Sequence, residues 1–157
     1  MQKIFLTFFY TGLSPKAPGT VGTFASLILA IILIQFFPAS TLFLISLLVA
    51  VLAIKEIDKY EENGGPHDDK SIVIDEFAGV FLAFSMTDPS AQNWVIPAVL
   101  SFILFRYFDI AKPSVIGKID QNTKGGLGVV GDDMVAGFFA GITANLIMYV
   151  SKNYFGF

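Results

Sequence analysis

Apolar runs of helix length alternate along this chain with short polar clusters. No residue between Lys16 and Lys55 is charged. That run is too long for one membrane-crossing helix and suits two. Pro38, in "FFPAS" (Phe36 to Ser40), cannot continue a helix and supplies the break. The pattern predicts a helical hairpin over Val21–Phe37 and Thr41–Ile54. The second arm is short for a hydrocarbon core of roughly 30 Å. It can extend past Lys55, whose long stem can snorkel. "KEIDKYEENGGPHDDK" would carry it one or two turns further, until Gly64, Gly65 and Pro66 stop it.

Three more apolar runs follow. "FAGVFLAFSMT" (Phe77–Thr87) is so short that a full span must include Asp75 and Glu76. "WVIPAVLSFILF" (Trp94–Phe105) begins a fourth, with Pro97 near its first turn. "MVAGFFAGITANLIMYV" (Met134–Val150) is the clearest. None shows the period-two alternation of a barrel strand, so the spanning elements are expected to be helices. The expected fold is all-α: a polytopic membrane bundle of about five transmembrane spans, one domain over residues 1–157, with the acidic motif loops on the cytoplasmic face.

Five spans place the N-terminus and the polar segments Lys55–Asp75 and Arg106–Asp133 on one side. Of the ten Lys and Arg residues, only Lys152 then lies opposite. The positive-inside rule assigns the shared side to the cytoplasm. The parity is critical. A single bent crossing over Phe77–Phe105 would put the two acidic clusters on opposite faces and forbid a joint site.

Composition supports this picture. The chain is 54% hydrophobic and 15% charged, against about 25% charged in soluble domains. The absence of cysteine excludes disulfides, thiolate zinc sites and cysteine nucleophiles. A net charge of −3 argues against a nucleic-acid surface. A single histidine, His67, gives little support to a serine hydrolase triad. The N-terminus lacks a signal-peptide layout.

Four blocks could carry chemistry. "PHDDKSIVIDEFAG" holds His67, Asp68, Asp69, Asp75 and Glu76, with Asp75, Gly79 and Ala83 spaced by four as one helix stripe. Two acids also suit a helix N-terminus through its dipole alone. At a membrane edge, however, such charges are costly unless they function. "GGLGVVGDDMVAGFFAG" places Asp133, Gly137 and Gly141 on a second stripe, with Asp132, Ala136 and Ala140 beside it. Its GxxxG permits close helix approach. If the two stripes pack together, up to four carboxylates converge, and a divalent cation is the natural partner. All-oxygen ligation suits Mg²⁺ or Mn²⁺. "FRYFDIAKPSVIGK" spaces Arg106, Asp109 and Lys112 by three. These could form a salt bridge with a snorkelling lysine, or Arg106 and Lys112 could donate to a phosphate. "GLSPKAPGTVGT" and "KGGLGVVGDD" are Gly-rich turns that could present an anion site or merely turn the chain. Thr20 and Thr23 could cap a helix.

Taken together, "GLSPKAPGTVGT", "HDDKSIVIDEFAG", "FRYFDIAKPSVI" and "KGGLGVVGDDMVAG" resemble, in order and over nearly the whole chain, the phosphatidylglycerophosphatase A family of bacterial inner-membrane lipid phosphatases. The resemblance implies Mg²⁺-dependent removal of the terminal phosphate of phosphatidylglycerophosphate at the cytoplasmic face. Two positions depart from the family pattern: Asp69 stands where a proline is often found, and Val115 replaces the second proline of "KPxP". Combined with the residue pattern, the resemblance implies that Asp75, Glu76, Asp132 and Asp133 bind Mg²⁺, with Asp109 a further candidate. Arg106 and Lys112 would hold the phosphate, with Lys16, Thr20 and backbone N–H groups near Gly19 or Gly125. His67 or Asp68 would move protons, and either water or an aspartate would be the nucleophile. The implied partners are the lipid substrate and the bilayer, not nucleic acid; a homo-oligomer is left open. Competing readings are a small divalent-cation channel or transporter, a membrane scaffold, and a phosphatase for another lipid or isoprenoid phosphomonoester.

Overall fold

The structure is a computed structural model of the 157-residue chain. It describes all residues except Asp68, Ser114, Gly156 and Phe157, and only the backbone of Asp120, Tyr154 and Phe155. The elements are α1 (Gln2–Leu6), a 3₁₀ turn (Thr11–Leu13), α2 (Pro18–Leu33), α3 (Ala39–Glu62), α4 (Ile74–Met86), α5 (Val95–Ala111), α6 (Val115–Asn122), α7 (Gly125–Val150) and a terminal π-turn (Ser151–Phe155). Among the described residues there is no strand, only an isolated bridge between Ser90 and Asn93.

Local chemistry sets the boundaries. Pro18 opens α2, where its missing N–H has no helical partner to lose. Pro38 is extended (φ −70°, ψ 160°) and separates α2 from α3. Gly64, at φ +90°, lets the chain leave α3. Pro97 sits in the first turn of α5, where it is tolerated. The extension of α3 past Lys55 is found, as far as Glu62. The largest difference from the sequence pattern is α7, which begins at Gly125 rather than Met134. The run "GGLGVVG" is helix, not turn. Gly126 presses on the Ile54 carbonyl of α3, where a Cβ would collide. The Asp58 carboxylate, also from α3, accepts from the Gly126 N–H at 2.7 Å and caps the helix.

α4 forms the axis. All its residues from Phe77 to Ser85 are buried, and its packing against α7 is the most extensive between any two elements. The surrounding helices turn apolar side chains outward: Phe24 and Ile32 on α2, Leu44 and Leu48 on α3, Ile96 and Ile103 on α5, Phe138 and Leu146 on α7. Two helical stretches, Ala39–Glu62 and Gly125–Asn153, are long and apolar enough to cross a membrane. The remaining long helices fall below that length, at 16 residues for α2, 13 for α4 and 17 for α5. The expectation of about five spans therefore reduces, on length and composition, to two. The short α4 is surrounded by protein along almost its whole length.

The expected stripes do pack together. Gly79 lies against the Asp133 carbonyl and the Phe105 ring, and Gly137 lies against the Gly79 carbonyl. One turn further, Gly141 meets Met86 and the Ala83 carbonyl. α4 and α7 are thus parallel. α3 is antiparallel to both: Ser46 donates to the Ala78 carbonyl at 2.7 Å, while Ile54 meets Gly126. Gly19, at the start of α2, faces Glu76 and Arg106. The helices α2, α3, α4, α5 and α7 therefore alternate in direction, and both acidic clusters lie at one end.

This contact predicts a sharp contrast between two glycines. Gly137→Leu should overpack the α4–α7 contact and lower stability by at least about 1–3 kcal/mol. Gly131→Ala, whose Cβ would meet only Ile119 at 3.4 Å, should be neutral or stabilising by up to about 1 kcal/mol. Thermal unfolding in detergent checks both.

Candidate active site

The common end of the helices encloses a cavity of about 490 Å³. Each wall has a separate origin. The first turn of α2 supplies Gly19 and Thr20, and the loop before α4 supplies His67, Asp69 and Lys70. α4 brings Asp75 and Glu76 in its first turn. The last turns of α5 and its C-cap bring Arg106, Asp109 and Lys112. α7 brings Asp132 and Asp133 from two turns inside the helix.

The carboxylates are unusually dry. Asp75, Asp132 and Asp133 are 9%, 4% and 3% exposed. Charged groups so deeply placed are normally paired, and the cations of α5 supply part of that pairing. Arg106 Nη1 donates to Asp109 Oδ2 at 2.7 Å, to Glu76 Oε1 at 3.0 Å and to Thr23 Oγ1 at 3.3 Å. Thr23 in turn donates to Glu76 Oε2 at 3.1 Å. Lys112 Nζ reaches Asp132 Oδ2 at 2.6 Å. Lys112 adopts φ 42°, a left-handed conformation that costs a non-glycine residue roughly 1–3 kcal/mol. The Arg106–Asp109 bridge expected from the spacing is present, but Lys112 pairs with α7 rather than snorkelling.

Pairing does not balance the charge. Among the described residues, six carboxylates line the cavity (Asp69, Asp75, Glu76, Asp109, Asp132 and Asp133) against three permanent cations, Lys70, Arg106 and Lys112. Asp75 Oδ1 is buried with no hydrogen-bond partner among the described residues. A hard, oxygen-seeking cation fits this donor set and would satisfy that orphaned oxygen. Among the described residues, no three His, Asp or Glu side chains are already gathered around one point. Glu76 and Asp132 are held instead by Arg106 and Lys112.

The other anticipated residues are placed less uniformly. His67 is on the exposed rim, with Nδ1 2.7 Å from Glu61 Oε1. Asp68 lies outside the described residues. Thr20 lines the cavity, but Lys16 and Gly125 do not. Lys16 is exposed at the turn before α2. Gly125 abuts Asp58, and the neighbouring amide is already capped by that carboxylate; the helix end that might have met a phosphate is therefore occupied. Asp69 is a strut: Tyr60 Oη donates to its Oδ2 at 2.6 Å and the Ser71 N–H to its Oδ1 at 2.9 Å. Sequence reasoning did not single out Lys70, Gln121 or Thr123 in the lining, nor Thr23 as a link between α2, α4 and α5.

The sequence model of the phosphatidylglycerophosphatase A family matches residues 4–148. The chain belongs to the phosphatidylglycerophosphatase A family. It is 36% identical over 141 residues to a phosphatidylglycerophosphatase A of Haemophilus influenzae, an alignment covering 90% of this chain and 85% of the relative. It is 32% identical over 146 residues to the Escherichia coli protein of the same name, covering 93% and 81%. A putative phosphatidylinositol-3-phosphatase of Bacteroides thetaiotaomicron is 34% identical over 148 residues, covering 92% and 91%. No solved structure is significantly similar to this family member.

The Asp69 strut generates a pH prediction. The Tyr60 hydroxyl holds the Asp69 carboxyl below its ordinary value of 3.8, opposed by partial burial and assisted by Ser71. A depressed carboxylate contributes stability above its unfolded pKa and loses it as pH falls through the folded one. Tyr60→Phe should therefore be less stable than the parent at pH 7, with the gap closing below about pH 4. Denaturation midpoints at pH 7 and pH 3 measure the gap; an unchanged gap would assign the effect to packing.

Proposed function

We propose that this protein is a Mg²⁺-dependent phosphatase that removes the terminal phosphate of phosphatidylglycerophosphate to give phosphatidylglycerol. The observation that carries the reading is the convergence, at one end of the bundle, of two acid pairs from α4 and α7 with Arg106 and Lys112 from α5. The family assignment supplies the substrate class. The relative named for phosphatidylinositol 3-phosphate makes that lipid the alternative headgroup to test.

Asp75, Asp132 and Asp133, with Glu76, are the side chains that would hold Mg²⁺, which when bound would neutralise phosphoryl charge and make a water a better nucleophile. Arg106 presents its guanidinium to the phosphate while Glu76 and Asp109 fix its other edge. Lys112 adds a point charge opposite Arg106. His67, paired at the rim with Glu61, would pass a proton to the leaving glycerol oxygen. Burial of the three aspartates would strengthen their hold on a cation that offsets their repulsion of the phosphate.

The bundle is read as crossing the bacterial cytoplasmic membrane through α2, α3, α4, α5 and α7, with the cavity facing the cytoplasm. The outward apolar side chains support the lipid contact. The Lys and Arg residues, all at the cavity end except Lys152, support the orientation. Clustering of the acids at one end gives no support to a cation path along the bundle.

Two measurements test this. Purified, EDTA-stripped protein should release phosphate from phosphatidylglycerophosphate only when Mg²⁺ is restored, and faster than from phosphatidylinositol 3-phosphate. Asp133→Asn should reduce that rate by about a hundredfold or more, the scale of losing a group that stabilises transition-state charge. Full activity without divalent metal, or an unaffected variant, would remove Mg²⁺ or Asp133 from the mechanism. Separately, single cysteines at Asn63 and Gln121 should both be labelled from the cytoplasmic side; labelling from opposite sides would break the topology.

A further inference from the structure

Thr23 is fully buried, one turn into α2. Its hydroxyl donates to Glu76 Oε2 at 3.1 Å and accepts from Arg106 Nη1 at 3.3 Å. It thereby ties α2 to both α4 and α5. One turn earlier on the same face, Gly19 has no side chain because Glu76 Oε1 and Arg106 Nη1 fill the space. α2 is therefore pressed onto this ion pair by a residue that yields room and a residue that supplies a bond.

The guanidinium is used unevenly. Among the described residues, its hydrogen bonds, to Thr23, Glu76 and Asp109, all come from Nη1. Nε is buried with no partner, and Nη2 takes part in none of these bonds. The three acceptors hold one edge of Arg106 and leave the Nη2 edge for a ligand in the cavity, which Arg106 lines. A carboxylate could by itself hold an arginine in several rotamers. A hydroxyl that donates to the carboxylate and accepts from the arginine fixes the orientation of both.

We infer that Thr23 is a positioning residue for the phosphatase reaction: through its bonds to Glu76 and Arg106 it sets the guanidinium edge that receives the substrate phosphate. Thr23 touches neither substrate nor reacting atoms. The inference rests on the phosphatase reading above, and it assigns α2 a part in the chemistry beyond its apolar face.

Thr23→Val keeps the shape and removes the hydroxyl; Thr23→Ser keeps the hydroxyl. Turnover of phosphatidylglycerophosphate, inhibition by inorganic phosphate and thermal unfolding are measured on all three proteins in detergent with Mg²⁺. Thr23→Val should lose about tenfold or more in kcat/KM, the scale of a hydrogen bond to a charged group. Inhibition by inorganic phosphate should weaken by a similar factor. Thr23→Ser should recover both to within about threefold on that scale, although the two variants melt alike. If Thr23→Val does not fold, Thr23→Ala is compared with Thr23→Ser instead. A folded Thr23→Val with wild-type kcat/KM and phosphate inhibition overturns this inference alone. So does a Thr23→Ser as impaired as Thr23→Val. A folded wild type that neither turns over the lipid nor responds to phosphate overturns this inference and the phosphatase reading together.

Discussion

The structure depends on the close approach of α4 and α7. Gly79 and Gly137 bring the two backbones into contact where any side chain would force them apart. Only at that separation do Asp75 and Asp133, each one turn towards the cavity, share a wall. The same approach buries α4 so completely that its polar groups must find partners in protein. Ser46 of α3 supplies one by donating to the Ala78 carbonyl. Packing of small residues needs no hydrophobic drive and works as well in hydrocarbon as in water. Carboxylates can therefore sit deep in the structure because glycine sits deeper.

Around this axis the charges form two opposed sets. α5 ends with Arg106 and Lys112, and these reach Glu76 on α4 and Asp132 on α7. Removing one partner of such a pair is more damaging than the pair's net contribution, since it strands a charge in a dry site. Among the described residues the carboxylates lining the cavity outnumber its cations, a balance that would suit the divalent ion proposed above. The arginine and lysine keep it hospitable to an anion. A metal-dependent phosphatase, the reading proposed above, would use both properties together.

Much of this was legible in the sequence. Spacing by four linked Asp75 to Gly79 and Asp133 to Gly137 and made their packing the condition for a joint site, a condition the α4–α7 contact meets. Pro38 and the Gly64–Pro66 stop marked the limits of α3. The start of α7 was not legible, because a run such as "GGLGVVG" has turn propensity and becomes helix only through contact with Ile54 and Asp58. Such tertiary override leaves no trace in local pattern. The placement of Gly125 outside the cavity lining was hidden for the same reason: Asp58, distant in sequence, holds that helix end. Thr23 carried a usable signal. It lies four residues after Gly19, so the two share a face, but its partners on α4 and α5 could not be read from α2 alone.

The brevity of α4 has a mechanical consequence. At about 1.5 Å per residue, its 13 residues span far less than the 24 of α3 or the 26 of α7. In a bilayer, a change of thickness is taken up by helices that face lipid, through tilt or local bilayer deformation. α4 has no lipid-facing surface on which that force could act. Were the bundle to sit in a bilayer as proposed, Asp75 and Glu76 at the head of α4 would be sheltered from that force.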